Sequence, residues 1–156
     1  MAVKPVPDGY HTITPALSID GAADAIEFYK RAFGAQERAR MPMPDGKIAH
    51  AEIEIGNSVV MVADPFPQAK VRPPKEVGGT TVSLFLYVED VDALFQQAVD
   101  AGATAETEPE DMFWGDRFAS VTDPYGHNWQ IATHVEDLAP EEMERRSQEA
   151  LAAMTA

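Results

Sequence analysis

The sequence predicts an α+β fold built from two tandem βαβββ modules and a C-terminal helix. An amphipathic helical pattern occurs twice, at residues 22–33 and 90–101, and each helix lies between one β-prone segment and three more. The dipeptide Gly34-Ala35, which follows the first helix, recurs as Gly102-Ala103 after the second. Because the order of elements repeats together with this motif, the sequence indicates an internal duplication.

The first module covers residues 10–64. Its helix is predicted because Ile26, Tyr29 and Phe33 fall on one apolar face, and Gly34 can end it. A later segment alternates strictly, which predicts a strand with two distinct faces. The predicted elements are an irregular arm at 1–12, a strand at 13–19, a helix at 22–33 and strands at 36–41, 47–55 and 58–63.

The second module covers residues 80–134 and follows a linker at 65–79, where four prolines and two glycines disfavour a core element. Asp90 is predicted to cap its helix. Residues 136–156 are predicted to form a helix that either packs on its own module or contacts a second copy. The strands of this module are predicted at 81–88, 104–108, 118–121 and 128–132.

Composition limits the classes of function. The chain has 156 residues and a formal net charge of −14, so nucleic acids and anionic membranes are not expected partners. The absence of cysteine excludes disulfides, thiolate zinc sites and a cysteine nucleophile. No apolar run approaches the roughly 20 residues needed to span a bilayer, and the N-terminal stretch lacks the apolar core of a signal peptide. We therefore expect a cytoplasmic location.

One turn near the end of the chain has a characteristic sequence. Asp123-Pro124-Tyr125-Gly126 joins two β-prone runs, and the stretch FASVTDPYGHNWQIA resembles the end of the vicinal oxygen chelate superfamily. That superfamily holds glyoxalase I, fosfomycin and bleomycin resistance proteins and extradiol dioxygenases. The motifs IAHAEI, VVMVAD and FWGDRFASVTDPYG are similar to its PhnB-like subgroup. The resemblance implies two modules that form an incomplete barrel around a pocket, and it implies homodimers.

The resemblance also implies where a divalent metal would bind. Family enzymes use His and Glu side chains on the first and last strands of each module. The corresponding positions here are Thr14, Met61, Ser83 and Gln130. Neutral hydroxyls, a thioether and an amide are poor ligands for a hard dication, so we expect no metal cofactor at these positions. We expect the four residues to line the pocket instead.

Another pair of side chains could carry chemistry without the family's metal. His50 and Glu52 share one face of a predicted strand and form a candidate acid–base pair. Alternatively, they could hold a displaced metal if His11, His127 or His134 completes the site. A structural interpretation also stays open, in which His50 is a hydrogen-bonded pocket or interface residue and the other three histidines lie at the surface.

The remaining candidates are aromatic or cationic. Trp114 offers a flat apolar wall and Arg117 a fixed charge, which together could hold an aromatic or carboxylate-bearing ligand. Alternatively, Trp114 plugs the pocket mouth and Arg117 pairs with Asp116 or Asp123. Trp129 is predicted to lie in the core. Ser83, Phe85 and Tyr87 alternate along one strand and are predicted to share its inner face.

These features favour a small-molecule-binding protein of the glyoxalase/bleomycin resistance type that lacks the usual metal ligands. The alternative is a superfamily enzyme, of the lyase, isomerase or dioxygenase type, that uses His50 and Glu52. A third interpretation is a degenerate paralogue that acts through its dimer surface.

Overall fold

The computed structural model describes residues 2–156, so only Met1 of the predicted N-terminal arm lies outside the described residues. All the predicted helices and strands are present, and the linker adds one short helix. The elements are β1 (Ala16–Ser18), α1 (Ala22–Phe33), β2 (Gln36–Pro42), β3 (Ile48–Ile55), β4 (Ser58–Ala63), α2 (Pro74–Val77), β5 (Ser83–Tyr87), α3 (Val91–Ala101), β6 (Thr104–Asp111), β7 (Asp116–Thr122), β8 (Asn128–His134) and α4 (Pro140–Met154).

The strands form two four-stranded sheets with the same topology. The first sheet has the order β1-β4-β3-β2 and the second has the order β5-β8-β7-β6. In both sheets the first strand runs parallel to the last strand of the module, and the other pairs are antiparallel. The predicted α+β fold of two βαβββ modules is therefore confirmed. The sheets are open and do not close into a barrel.

The duplication extends to the contacts that begin the two main helices. The buried carboxylate of Asp64, directly after β4, accepts hydrogen bonds from the backbone N–H groups of Gly21 (3.0 Å) and Ala22 (3.3 Å). In the second module the hydroxyl of Thr133 on β8 accepts a hydrogen bond of 2.9 Å from the backbone N–H of Val91. In each module, therefore, a side chain at the end of the last strand accepts from N–H groups at the start of the helix, which have no partner within the helix itself.

The two modules share one hydrophobic core. Helices α1 and α3 pack together, and the indole of Trp129 from β8 lies against the rings of Tyr29 and Phe33 from α1, with centroid distances of 5.2 and 4.6 Å. Trp129 is 1% exposed, so its predicted core position is confirmed. Because the first module's helix packs on the second module's sheet, the modules form one compact unit.

Several strands differ in length from the prediction. β1 begins at Ala16 rather than at residue 13, because Pro15 offers its carbonyl to Met61 (2.9 Å) but has no N–H to extend the ladder. β7 begins at Asp116, so Asp116 and Arg117 belong to a strand rather than to the loop before it. The antiparallel pairing of β7 with β8 sets this boundary, and the local sequence does not show it.

The C-terminal helix α4 lies on the surface, and none of its residues is buried. Arg146 fastens it, through hydrogen bonds to the carboxylate of Glu136 (2.9 Å) and to the backbone carbonyl of Phe113 (3.4 Å). One partly buried face of the helix, which includes Met143, Arg146 and Ala150, therefore lies towards the rest of the chain. Within residues 2–156, no helix combines the length and hydropathy needed to cross a membrane.

Candidate functional site

Each sheet has one face that packs against a helix and an opposite face that does not, which we call the open face. On β7, Ala119 and Val121 are fully buried beneath α3, whereas Phe118, which precedes Ala119 and takes the opposite face, is only partly buried. The strand register places Gln130 beside Phe85 on one side and beside Ser120 on the other. In the first sheet the same register places Met61 between Ala16 and Glu52.

A groove between the two modules contains two adjoining cavities. We call the larger one, of about 650 Å³, the seam cavity. The smaller one has a volume of about 210 Å³ and includes Thr14 in its wall. Phe85 contributes to both cavities, and Tyr87 contributes to the larger. The side chains that line the seam cavity come from the end of α1, the β3–β4 turn, β5 and α3, and they include Phe33, Ile55, Asn57, Phe85, Tyr87, Leu94 and Gln97.

Aromatic rings continue from the seam cavity across the open face of the second sheet. The ring of Phe85 lies 5.0 Å from that of Tyr87 and 6.0 Å from that of Phe118, and Trp114 lies 6.1 Å from Phe118. We call Phe85, Tyr87, Phe118 and Trp114 the aromatic row. Phe85 is 43% exposed and Tyr87 is 65% exposed, so the row offers accessible ring surface.

A buried carboxylate orients two members of this row. Oδ2 of Asp116 accepts hydrogen bonds from the Tyr87 hydroxyl (2.9 Å) and from Nε1 of Trp114 (3.1 Å). Its Oδ1 lies 2.8 Å from Nδ1 of His134, whose Nε2 lies 2.7 Å from Oδ1 of Asp137. Burial opposes ionisation of Asp116, but the hydrogen bonds from His134, Tyr87 and Trp114 outweigh it and lower the pKa of this carboxyl. The hydrogen bonds to Asp116 and Asp137 in turn raise the pKa of His134.

Arg117 points away from the aromatic row. Its guanidinium forms a two-point ion pair with Asp92 of α3, at 2.7 and 2.9 Å, and a further contact of 3.3 Å with Asp111. The structure therefore does not bring Arg117 together with Trp114. The alternative pairing of Arg117 with Asp116 or Asp123 is wrong, because the side chain emerges on the helix side of the sheet, where α3 supplies the acid.

His50 and Glu52 lie together on the open face of the first sheet, as their alternation on β3 predicts. Nε2 of His50 is 3.2 Å from Oε1 of Glu52, and the hydroxyl of Tyr10 donates a hydrogen bond to Oε2 of Glu52. The hydrogen bond from Tyr10 is the largest cause that lowers the pKa of Glu52, and the contact with His50 acts in the same direction. Glu52 is therefore a carboxylate held between two donors.

Comparison with known proteins identifies the fold's family. Residues 11–131 match the family model described as the Glyoxalase/Bleomycin resistance protein/Dioxygenase superfamily. The chain belongs to this superfamily. Among curated relatives, the uncharacterized protein Mb0911c of Mycobacterium bovis is 45% identical over 135 residues, which cover 85% of this chain and 89% of the relative. The protein YjdN of Escherichia coli is 31% identical over 140 residues, covering 76% and 92%.

Several solved structures share the fold. TioX from Micromonospora sp. ML1 matches with a TM-score of 0.65 and 29% identity, covering 80% of this chain and 99% of TioX. The Arabidopsis thaliana gene product At5g48480 matches with a TM-score of 0.64 and 28% identity, covering 79% and 98%. A PhnB protein from Bacillus cereus has a TM-score of 0.63 at 18% identity, covering 79% and 99%, and shows likeness of fold alone.

The superfamily's metal positions do not fit a metal in this chain. The strand register places Met61 between Ala16 and Glu52, and Gln130 between Phe85 and Ser120, so Met61 and Gln130 themselves offer only a thioether and an amide. Thr14 lies before β1 begins, and Ser83 pairs with Asn128 at the start of β8. Within residues 2–156 no group of three or more His, Cys, Asp or Glu side chains is placed to hold a metal. The donors at these positions are neutral or lacking, so they do not suit a hard dication.

The other histidines do not complete a metal site with His50 and Glu52, which contradicts that alternative. His11 lies 3.3 Å from the carbonyl of Asn57, and His127 lies 3.1 Å from the carbonyl of Ser18. His134 binds Asp116 in the second module. Each ring therefore makes its contact away from His50 and Glu52. His11 and His134 are exposed, as the surface interpretation predicts, and His127 is partly buried.

Sequence reasoning missed three residues of this region. Phe118 joins the aromatic row, and the alternation of β7 could have found it, because Phe118 shares a face with Asp116 and Ser120. Asp116 was expected at most to pair with Arg117. Tyr10 reaches Glu52 from an arm with no regular secondary structure, and no local pattern could have indicated that contact.

Proposed function

We propose that this chain is a small-molecule-binding member of the superfamily that holds a flat, largely apolar ligand in the seam cavity. The observation that carries the proposal is the continuity of that cavity with the aromatic row through Phe85 and Tyr87. A volume of about 650 Å³ lies within the range of small-molecule sites, which combine apolar walls with a few polar groups. Asn57 and Gln97 supply polar groups in that wall.

The geometry suits recognition by stacking. A planar ligand in the cavity would lie against the ring of Phe85, and Asp116 would keep Tyr87 and Trp114 in fixed orientations. Rings that are held before the ligand arrives lose less conformational entropy when it binds. In this proposal the protein binds its ligand reversibly and needs no metal cofactor.

The proposal includes a homodimer and membership of the PhnB-like subgroup. The open faces carry exposed apolar side chains, namely Phe85 (43% exposed), Tyr87 (65%) and Met41 (61%). Contact with a second copy of the chain would remove this apolar surface from water. The motifs IAHAEI and FWGDRFASVTDPYG support the subgroup. Because the net charge is −14, we propose no nucleic-acid or membrane partner. The cytoplasmic location expected from the sequence stays part of the proposal.

A fluorescence titration with 2-naphthol, a neutral planar probe, tests the proposal, with cyclohexanol as the non-planar comparison. We expect saturable binding of 2-naphthol, about tenfold weaker binding by Phe85→Ala, and no binding of cyclohexanol at matched concentrations. Phe66→Ala is the control, because Phe66 is 41% exposed, like Phe85, but lies on the linker. Equal affinities of the Phe85→Ala and Phe66→Ala proteins would contradict the proposal.

A second candidate function is metal-independent acid–base catalysis at His50 and Glu52. The observation that favours it is the chain of contacts from Tyr10 through Glu52 to His50 on an open face. Its test is the exchange of carbon-bound protons of dihydroxyacetone with deuterated water, followed by NMR. Glu52→Gln should abolish the exchange and leave 2-naphthol binding intact. Exchange at the uncatalysed rate in the wild-type protein would remove this candidate.

A further inference from the structure

Three side chains with different donor atoms converge on the open face of the first sheet. Glu52 lies between the Tyr10 hydroxyl, which is bonded to Oε2, and Nε2 of His50, which is 3.2 Å from Oε1. Glu52 and His50 come from β3, whereas Tyr10 comes from the arm that precedes the part of the chain matched by the superfamily. The cluster therefore combines two side chains of the sheet with one side chain of the arm.

Contacts on both sides hold the arm in this position. The guanidinium of Arg38 on β2 lies 5.2 Å from the centroid of the Tyr10 ring, and His11 reaches the carbonyl of Asn57 at 3.3 Å. Arg38 is also 3.9 Å from Oε2 of Glu54. Tyr10 is partly buried by these contacts, although the other described residues of the arm, 2–9, 11 and 12, are exposed. The phenol is thus placed above β3 by neighbours other than Glu52.

We propose that Tyr10, His50 and Glu52 form a binding site for a first-row transition-metal ion, with iron(III) as the best match. A phenolate oxygen, a carboxylate oxygen and an imidazole nitrogen are a hard-to-borderline donor set. Such a set suits first-row transition-metal ions better than it suits Mg²⁺ or Ca²⁺. Two donors at about 2.1 Å from one ion lie about 3 Å apart when their bonds are roughly perpendicular. The 3.2 Å between Nε2 of His50 and Oε1 of Glu52 has this magnitude.

The surroundings leave part of the coordination sphere open. The side chain of His50 is 42% exposed, so solvent or a ligand can reach the ion from the open face. The register places Met41 beside His50 and Met61 beside Glu52, so two thioether side chains border the site. This site uses β3 and the arm, and none of its donors is one of the residues at the superfamily's expected positions, Thr14, Met61, Ser83 and Gln130.

Binding requires two changes of proton position. The phenol proton of Tyr10 leaves to solvent, and the imidazole proton of His50 moves from Nε2 to Nδ1 by exchange with water. The carboxylate of Glu52 then exchanges its two hydrogen-bond donors for the metal ion. No oxidant or reductant takes part, and the ion keeps its oxidation state.

The test is a titration of tag-free, full-length protein with ferric nitrilotriacetate, monitored by visible absorption and by equilibrium dialysis. We expect one iron(III) per chain and a phenolate-to-iron charge-transfer band. Tyr10→Phe should abolish the band, and both Tyr10→Phe and His50→Ala should weaken binding by more than about tenfold, since removal of a group behind a ligand already costs that much. His127→Ala is the control, because His127 contacts the carbonyl of Ser18 and not the arm, and it should bind iron like the wild-type protein.

Two outcomes would overturn the proposal: no iron bound by the wild-type protein, or an unchanged band in Tyr10→Phe. Circular dichroism of each variant establishes that it is folded, and Mg²⁺ in the same dialysis should not bind. The 2-naphthol titration of Tyr10→Phe separates this proposal from ligand binding in the seam cavity. The affinity of Tyr10→Phe for 2-naphthol should equal that of the wild-type protein, because Tyr10 does not line the seam cavity.

Discussion

The hydroxyl of Tyr29 on α1 donates a hydrogen bond of 2.6 Å to Oδ2 of Asp123, 94 residues further along the chain. Nε1 of Trp129 donates to the same oxygen at 2.8 Å, and the backbone N–H groups of Tyr125 and His127 donate to Oδ1. The aspartate of the Asp-Pro-Tyr-Gly turn therefore shapes its own turn and joins the two modules. A carboxylate is needed at this position because it accepts the hydrogen bond from Tyr29, which belongs to the other module.

Tyr29→Phe should lower the free energy of unfolding by about 1.5–3 kcal/mol, because it removes a buried hydrogen bond to a carboxylate without leaving a large cavity. Urea denaturation followed by circular dichroism measures the change. Tyr125→Phe is the matched control, since Tyr125 is only partly buried. Equal loss of stability in both variants would show that the Tyr29–Asp123 bond contributes nothing specific.

Gly115 should tolerate no side chain, for two separable reasons. Its φ is +99°, and a Cβ there would run into the backbone carbonyl oxygen of Glu136. Gly46 has a similar φ of +87°, but a Cβ there meets nothing within 4 Å. Gly46→Ala therefore measures the cost of the positive φ alone, about 1 kcal/mol.

Gly115→Ala should destabilise the protein by more than Gly46→Ala and should also weaken 2-naphthol binding. The carbonyl of Gly115 accepts hydrogen bonds from the N–H groups of Val135 (2.9 Å) and Glu136 (3.0 Å), so separating these backbones moves the turn that carries Trp114. Thermal unfolding and the fluorescence titration measure the two effects. The same stability for both variants would contradict the predicted clash.

His134 should make stability depend on pH in a defined direction. Its pKa is raised above 6.5 by Asp116 first and by Asp137 second. A raised folded-state pKa means that its stabilising contribution is complete below pH 6.5 and is lost as pH rises through the folded pKa. In urea denaturation between pH 6 and pH 9, the difference between wild-type protein and His134→Ala should shrink. A difference that is constant over this range would contradict the prediction.

Asp116→Asn should disturb the aromatic row without changing the size of the side chain. The amide offers one acceptor oxygen in place of two, so it cannot accept from Tyr87, Trp114 and His134 together. We expect a shifted Trp114 emission maximum, weaker 2-naphthol binding, and a His134 pKa closer to 6.5 by NMR titration. Asp111→Asn is the control. Asp111 lies on β6 and contacts Arg117, which points away from the aromatic row, so this change should leave all three quantities unchanged.

Local sequence patterns were sufficient for the modules and for much of the secondary structure. The bounds of α1 at Ala22 and Phe33 agree with the prediction, because apolar spacing and Gly34 both act within a few residues of the chain. The Asp90 cap is also confirmed, since its carboxylate accepts a hydrogen bond of 3.0 Å from the N–H of Ala93. Alternation on β3 correctly placed His50 and Glu52 on one face.

The contacts that shape the candidate sites depend on residues far apart in the chain. Arg117 was grouped with Trp114 because they are neighbours in the sequence, but once β7 extends to Asp116 the two side chains leave on opposite faces. The extension itself comes from pairing with β8, which only the register shows. Adjacent residues in a strand therefore serve different surfaces.

The sequence by itself determined the two βαβββ modules, the core position of Trp129 and the cap of α3 at Asp90. Periodicity, capping and the chemistry of single side chains are sufficient for these conclusions. Only the tertiary structure decided that Asp116 holds Tyr87 and Trp114, and that Tyr10 meets Glu52. Such pairings are set by strand register and by the path of an irregular arm, neither of which leaves a local pattern in the sequence.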